Sequence, residues 1–137
     1  MQTPYEIAAR SVIPAIRGMI SRKLMEKDFT QAEVASTLGV TQPAVSKYIS
    51  DKRGRAIDFD QLADVRKMID CIADGIAKRK MDNLQVAIGI KEVCDYVMSS
   101  GYMCGFHYDV EPDTKSINCR MCMEPINILQ IPQRIKN

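Results

Sequence analysis

At 137 residues, 46 % of them hydrophobic, the chain can form one domain with a buried core or two small modules. It has no apolar run of 18 residues, which excludes a membrane-spanning helix, and Glu6 and Arg10 interrupt any apolar leader, so a cytoplasmic location is expected. The net charge of +2 is uneven: residues 1–55 hold nine Lys or Arg against five Asp or Glu, while residues 56–137 hold ten against twelve, so a polyanionic partner belongs to the N-terminal part.

Thr3-Pro4-Tyr5-Glu6 reads as a helix start, with a capping Thr, Pro at the first helical position and Glu at the third. The spacing predicts a helix from Pro4 to about Arg10. Pro14 disfavours helix at Ile13, so a second helix is expected from about Pro14 to Lys27. Its Ile16, Met19, Ile20 and Leu24 recur at helical spacing.

Thr30 to Ser50 reads as two short helices joined by a tight turn. Thr30 and Glu33 form a capping box, and Val34, Ala35 and Leu38 make one apolar face. Gly39 falls where the first helix must stop and turn. Thr41 can cap the next helix, Pro43 falls in its first turn, and Val45, Tyr48 and Ile49 can pack back on the first. A small residue at Ala35, a glycine at Gly39 and an apolar Val45 are the spacing of a helix-turn-helix. An ordinary helical hairpin is the plain alternative. The exposed polar residues of the second helix speak against it.

In a helix-turn-helix the second helix enters the major groove and its early residues meet base edges. Thr41, Gln42, Pro43, Ser46 and Lys47 then face DNA, with Ser50 at the margin. Gln42 can pair with adenine, and Ser or Thr can read several bases. Lys52, Arg53 and Arg55 follow at once, around Gly54, and suit phosphates, which position a protein without reading sequence. With no Trp and few aromatics, single-strand binding by base stacking is disfavoured, so double-stranded DNA is the expected partner.

The run from Pro4 to Gly54 resembles the N-terminal domain of archaeal transcriptional regulators of the xenobiotic-response-element, phage-repressor-like type. Ile13-Pro14-Ala15-Ile16-Arg17, the segment LGVTQPAVSKY and the segment KRG carry the resemblance. It implies a bundle of four or five helices that binds DNA as a homodimer.

Asp58 is expected to cap a third helical region, in which Leu62, Val65, Ile69, Ile72 and Ile76 form a short heptad seam. The seam either pairs with its twin across a two-fold axis or packs on its own domain. Cys71 lies off it and reads as a small hydrophobe. Asp82 caps the next helix, with Val86, Ile90, Val93 and Val97 as its apolar stripe and Gly101 as its end.

From Cys94 the composition changes. Cys94, Cys104, Cys119 and Cys122 fall within 29 residues, and the last two form a Cys-x-x-Cys pair in a tail read as irregular. Reduced cysteines at such spacing suggest a metal centre, with His107 a possible substitute ligand. One Cys-x-x-Cys knuckle with two scattered ligands favours an iron–sulfur cluster over Zn2+. The metal-free alternative is reduced thiols or a Cys119–Cys122 disulfide switch. Ile126, Ile128, Leu129 and Ile131, between Pro125 and Pro132, suggest a short strand or extended arm, followed by a frayed end.

The expected architecture is all-α: a helix-turn-helix bundle over 1–56, long helices over 57–100 for dimerisation or linkage, and a cysteine-rich metal-binding tail over 101–137 that draws in Cys94. The expected function is a DNA-binding transcription regulator with a redox- or iron-sensing centre. A structural zinc site, or a protein-interaction adaptor, is the alternative. No glycine-rich nucleotide motif, carboxylate pair or Ser/His/Asp set is present, so no enzyme is expected.

Overall fold

The computed structural model describes residues 1–50, 57–116, 119–124 and 129. Among the described residues the fold is all-α, with no strand. Helices α1 (Pro4–Arg10), α2 (Val12–Glu26), α3 (Gln31–Leu38) and α4 (Gln42–Ser50) form the N-terminal part. A 3-10 turn (Phe59–Gln61) leads into α5 (Ala63–Ala77) and α6 (Asn83–Ser99), and two short helices follow, α7 (Cys104–Val110) and α8 (Pro112–Ser116). The proposed 125–132 arm and the frayed end lie outside the described residues, except Leu129, which is exposed.

Capping chemistry sets most starts. Thr3 with Glu6, Thr30 with Glu33 and Asp82 with Gln85 each form a complete capping box. α2 begins at Val12, two residues before the expected Pro14. Proline is tolerated there because a first-turn N–H has no partner within its helix. The break falls at Ser11, whose hydroxyl donates to the Ile7 carbonyl at 2.6 Å. Asp58 does cap, but it caps the 3-10 turn, its carboxylate accepting from Asp60 N at 3.0 Å. α5 therefore starts later than expected, at Ala63.

α2 is the central strut. It packs against α1, α3, α4, α5 and α6, and Val12, Ile16, Ile20 and Leu24 are fully excluded from water. Each such side chain contributes roughly 1.5–3 kcal/mol of hydrophobic stabilisation. The heptad seam is part of this same core. Val65, Ile69, Ile72 and Ile76 are all buried, and α5 packs on α2 and α6. The seam is thus satisfied within one chain, the second of its two expected uses. Lys23–Asp70 (3.4 Å) and Lys27–Asp74 (3.1 Å) tie α2 to α5 at the surface. Exposed pairs of this kind contribute little.

Among its described residues, the C-terminal region is more helical than its composition suggested. α7 and α8 stand where an irregular tail was expected. Met103, Phe106, His107 and Val110 recur at helical spacing, and Pro112 follows. The Gln2 backbone N–H donates to Glu111 at 2.6 Å, and His107 Nε2 stands 3.1 Å from the same carboxylate, so α7 is pinned to the start of the chain. Asp64 on α5 accepts hydrogen bonds from the phenols of Tyr96 on α6 and Tyr102 beyond it. The two tyrosine rings meet edge to face at 6.2 Å.

Candidate nucleic-acid interface

α3 ends because Gly39 takes the left-handed conformation, with φ 67°, and its N–H caps the Ala35 carbonyl. A Cβ at Gly39 would meet nothing within 4 Å, so glycine is needed there for its backbone alone. Thr41 Oγ1 accepts from Ala44 N at 3.2 Å and so caps α4, and Pro43 occupies its first turn. Val34, Ala35, Leu38 and Val45 are buried between the two helices, and Tyr48 and Ile49 are half-buried.

Two contacts with α2 fix how α4 is presented. A Cβ at Gly18 would lie 3.1 Å from the Tyr48 carbonyl oxygen, so glycine permits the close approach of α2 to α4. Arg17 Nη1 donates to the Tyr48 hydroxyl at 3.4 Å, while its buried Nε has no hydrogen-bond partner among the described residues. Their contact was not expected from sequence: Arg17 and Tyr48 are 31 positions apart and no local pattern links them.

With Val45 inward, α4 turns its other side to water. Thr41, Gln42, Pro43, Ser46, Lys47 and Ser50 are all exposed. The Ser50 hydroxyl donates to the Ser46 carbonyl at 2.8 Å, and Thr41 is engaged as the cap, so Gln42, Ser46 and Lys47 carry the polar groups best placed for an external partner. Lys52, Arg53 and Arg55 lie outside the described residues.

The expected metal ligands are placed differently. Cys94 is buried on α6, with its Sγ 3.9 Å from Met98 Sδ, and burial pushes its thiol pKa up, with Asp95 adding to the shift. Cys104 is the first residue of α7 rather than part of a loop. Burial raises the thiols of Cys104 and Cys122 as well. Cys119 adds to both shifts, and Cys104 adds to that of Cys122, so these three are neighbours. Tyr108 bridges here, donating to the Cys119 carbonyl at 3.2 Å. His107 is buried and engaged with Glu111. Among the described residues no group of three or more His, Cys, Asp or Glu is arranged to hold a metal ion. Of the expected ligands, Cys104, Cys119 and Cys122 stand together, while Cys94 is buried in the core of α6 and His107 is engaged with Glu111. Cys71 is exposed, against its reading as a packed hydrophobe, because it lies off the buried seam of α5.

No curated protein and no solved structure matches the chain. A family model does match, that of the helix-turn-helix, over residues 20–68, from the middle of α2 into α5. Capped α3, left-handed Gly39 and outward-facing α4 all fall within that span, and the chain therefore carries a helix-turn-helix domain.

Proposed function

We propose that the protein is a sequence-specific DNA-binding transcription regulator of the xenobiotic-response-element type, with α4 as its reading helix. The observation that carries this is the exposed row Gln42, Ser46 and Lys47 on the second helix of a helix-turn-helix. Gln42, at the start of α4, suits base contact, and Lys47 suits a base or a phosphate. Lys52, Arg53 and Arg55 supply the non-specific electrostatic part. The activity proposed is binding, with no catalytic step.

Selection of preferred duplexes from a random pool tests this, followed by affinity measured against salt. Gln42→Ala is expected to change the preferred sequence. Lys52→Ala or Arg53→Ala is expected to weaken binding on every sequence and to lower the salt slope by about one for each phosphate no longer neutralised. Equal effects of the two kinds of substitution would remove α4 from the reading role. Salt-insensitive behaviour with no duplex affinity would favour the protein-interaction adaptor instead.

We further propose that the regulator binds as a homodimer, because two half-sites on a two-fold axis are the usual geometry for such readers. The α5 seam is buried within the chain and does not supply that interface. Sedimentation equilibrium with and without duplex measures the stoichiometry; one chain per selected site would reject the dimer.

A further inference from the structure

A cavity of about 350 Å³ lies between α2, α4 and the 3-10 turn, within the size range of small-molecule sites. Pro14, Ala15, Met19 and Phe59 give it an apolar lining. α4 contributes Ala44, Lys47 and Tyr48, so the cavity touches the inner flank of the proposed reading helix. The close approach at Gly18 forms part of its wall.

Among its described lining residues, Arg10, Arg22 and Lys47 stand against Asp58 and Asp60, an excess of one positive charge. Arg22 Nη2 lies 3.7 Å from Asp60, and the Asp58 carboxylate accepts the Asp60 N–H. Arg10 and Lys47, both exposed, add two cations beside a mainly apolar space. An apolar body with one anionic end matches this lining. A neutral apolar ligand would leave the single excess positive charge unmatched, and a polyanion such as a nucleoside triphosphate would place most of its charge on apolar side chains.

We propose that this cavity binds a small amphipathic monocarboxylate, and that the bound carboxylate competes with DNA for Lys47. The site itself stands on the cavity and its lining. The competition rests on the DNA-reading function proposed above. By linkage, a ligand that engages Lys47 weakens DNA binding by the same factor by which DNA weakens the ligand.

The test is a titration of the isotopically labelled full chain, free of DNA, with sodium octanoate, and in parallel with octanamide as the neutral match. Saturable amide shifts are expected at Ala15, Gly18, Met19 and Tyr48, with a Kd on the order of 0.1–1 mM. Octanamide is expected to bind at least several-fold more weakly. Arg10→Gln, at an exposed position, should weaken octanoate about fivefold and leave octanamide unchanged. Ala15→Leu should fill the cavity and abolish the shifts while circular dichroism keeps its helical signal. Absence of saturable binding up to about 10 mM octanoate, equal binding of octanamide, or shifts that survive Ala15→Leu in folded protein would each overturn the site. Duplex affinity is then measured with and without saturating octanoate. A several-fold loss supports the competition, and an unchanged affinity overturns it while leaving the site in place. Failure of the ligand-free protein to bind any duplex is a separate result that rejects the DNA-reading function.

Discussion

At the scale of single residues, Gly39 and Asp64 show two ways in which one position governs its surroundings. Gly39 must reach φ 67° with open space where a Cβ would stand. Gly39→Ala is therefore expected to cost about 1 kcal/mol through the backbone alone. In a chain of this size that lowers Tm by about 3–5 °C, while Gly39→Asn, which tolerates the left-handed region, should cost less; calorimetry on the two variants checks the order. Asp64 is held below the usual carboxylate range by the phenols of Tyr96 and Tyr102. In return its carboxylate raises Tyr96, and with burial pushes Tyr102 up to about 12. The signs follow from linkage. The depressed Asp64 contributes stability above its unfolded pKa and loses it as pH falls through the lower folded value. The raised tyrosines contribute below pH 10 and lose that contribution as pH rises toward about 12. Ultraviolet titration should show Tyr102 ionising late, and Asp64→Asn should return it toward its ordinary value. Cys94 gives a third case. It is buried in the core of α6 beside Met98, so Cys94→Ala is expected to lower Tm and to leave the metal content per chain unchanged. A parallel loss of bound iron or zinc, measured on anaerobically purified protein, would put Cys94 among the ligands.

At the scale of elements, α5 separates two uses of one hydrophobic pattern. A 3-4 spacing of apolar residues makes a stripe, and a stripe is buried equally well by a twin chain or by α2 and α6 of the same chain. The structure shows the second. Ile69→Ala is accordingly expected to destabilise the chain by about 2–5 kcal/mol without changing the association state, read by denaturant unfolding and sedimentation. The same distinction explains what was legible in the sequence. α1, α3 and α6 were legible to within a residue because each begins with a capping box, which is a strictly local signal. The turn at Gly39 was legible for the same reason. The outward residues of α4 followed from the inward Val45 by helical periodicity. α7 and α8 were not legible, because α7 has no side-chain cap and its Met103–Phe106–Val110 spacing is too short to stand out beside the cysteines. The burial of Cys94 was hidden as well: a cysteine's place in sequence does not say whether its helix turns it inward, as α6 turns Cys94.

At the scale of the whole molecule, long-range contacts tie the elements to one another. Arg17 to Tyr48, Gln2 to Glu111, and Asp64 to Tyr96 and Tyr102 each join residues distant in sequence. None has a sequence signature. They link α2 with α4, the start of the chain with α7, and α5 with α6. The family match begins at residue 20, inside α2, whose buried residues Ile16, Ile20 and Leu24 serve a core that α5 and α6 complete. This sharing of α2 sets a limit on modularity. A gene fusion that transplanted only the first half of the chain would carry the helix-turn-helix away with one wall of its support stripped to solvent. A donor fragment has to include α5 and α6 if it is to keep its grip on α4. The unit that recombination or engineering can move is thus larger than the helix-turn-helix itself.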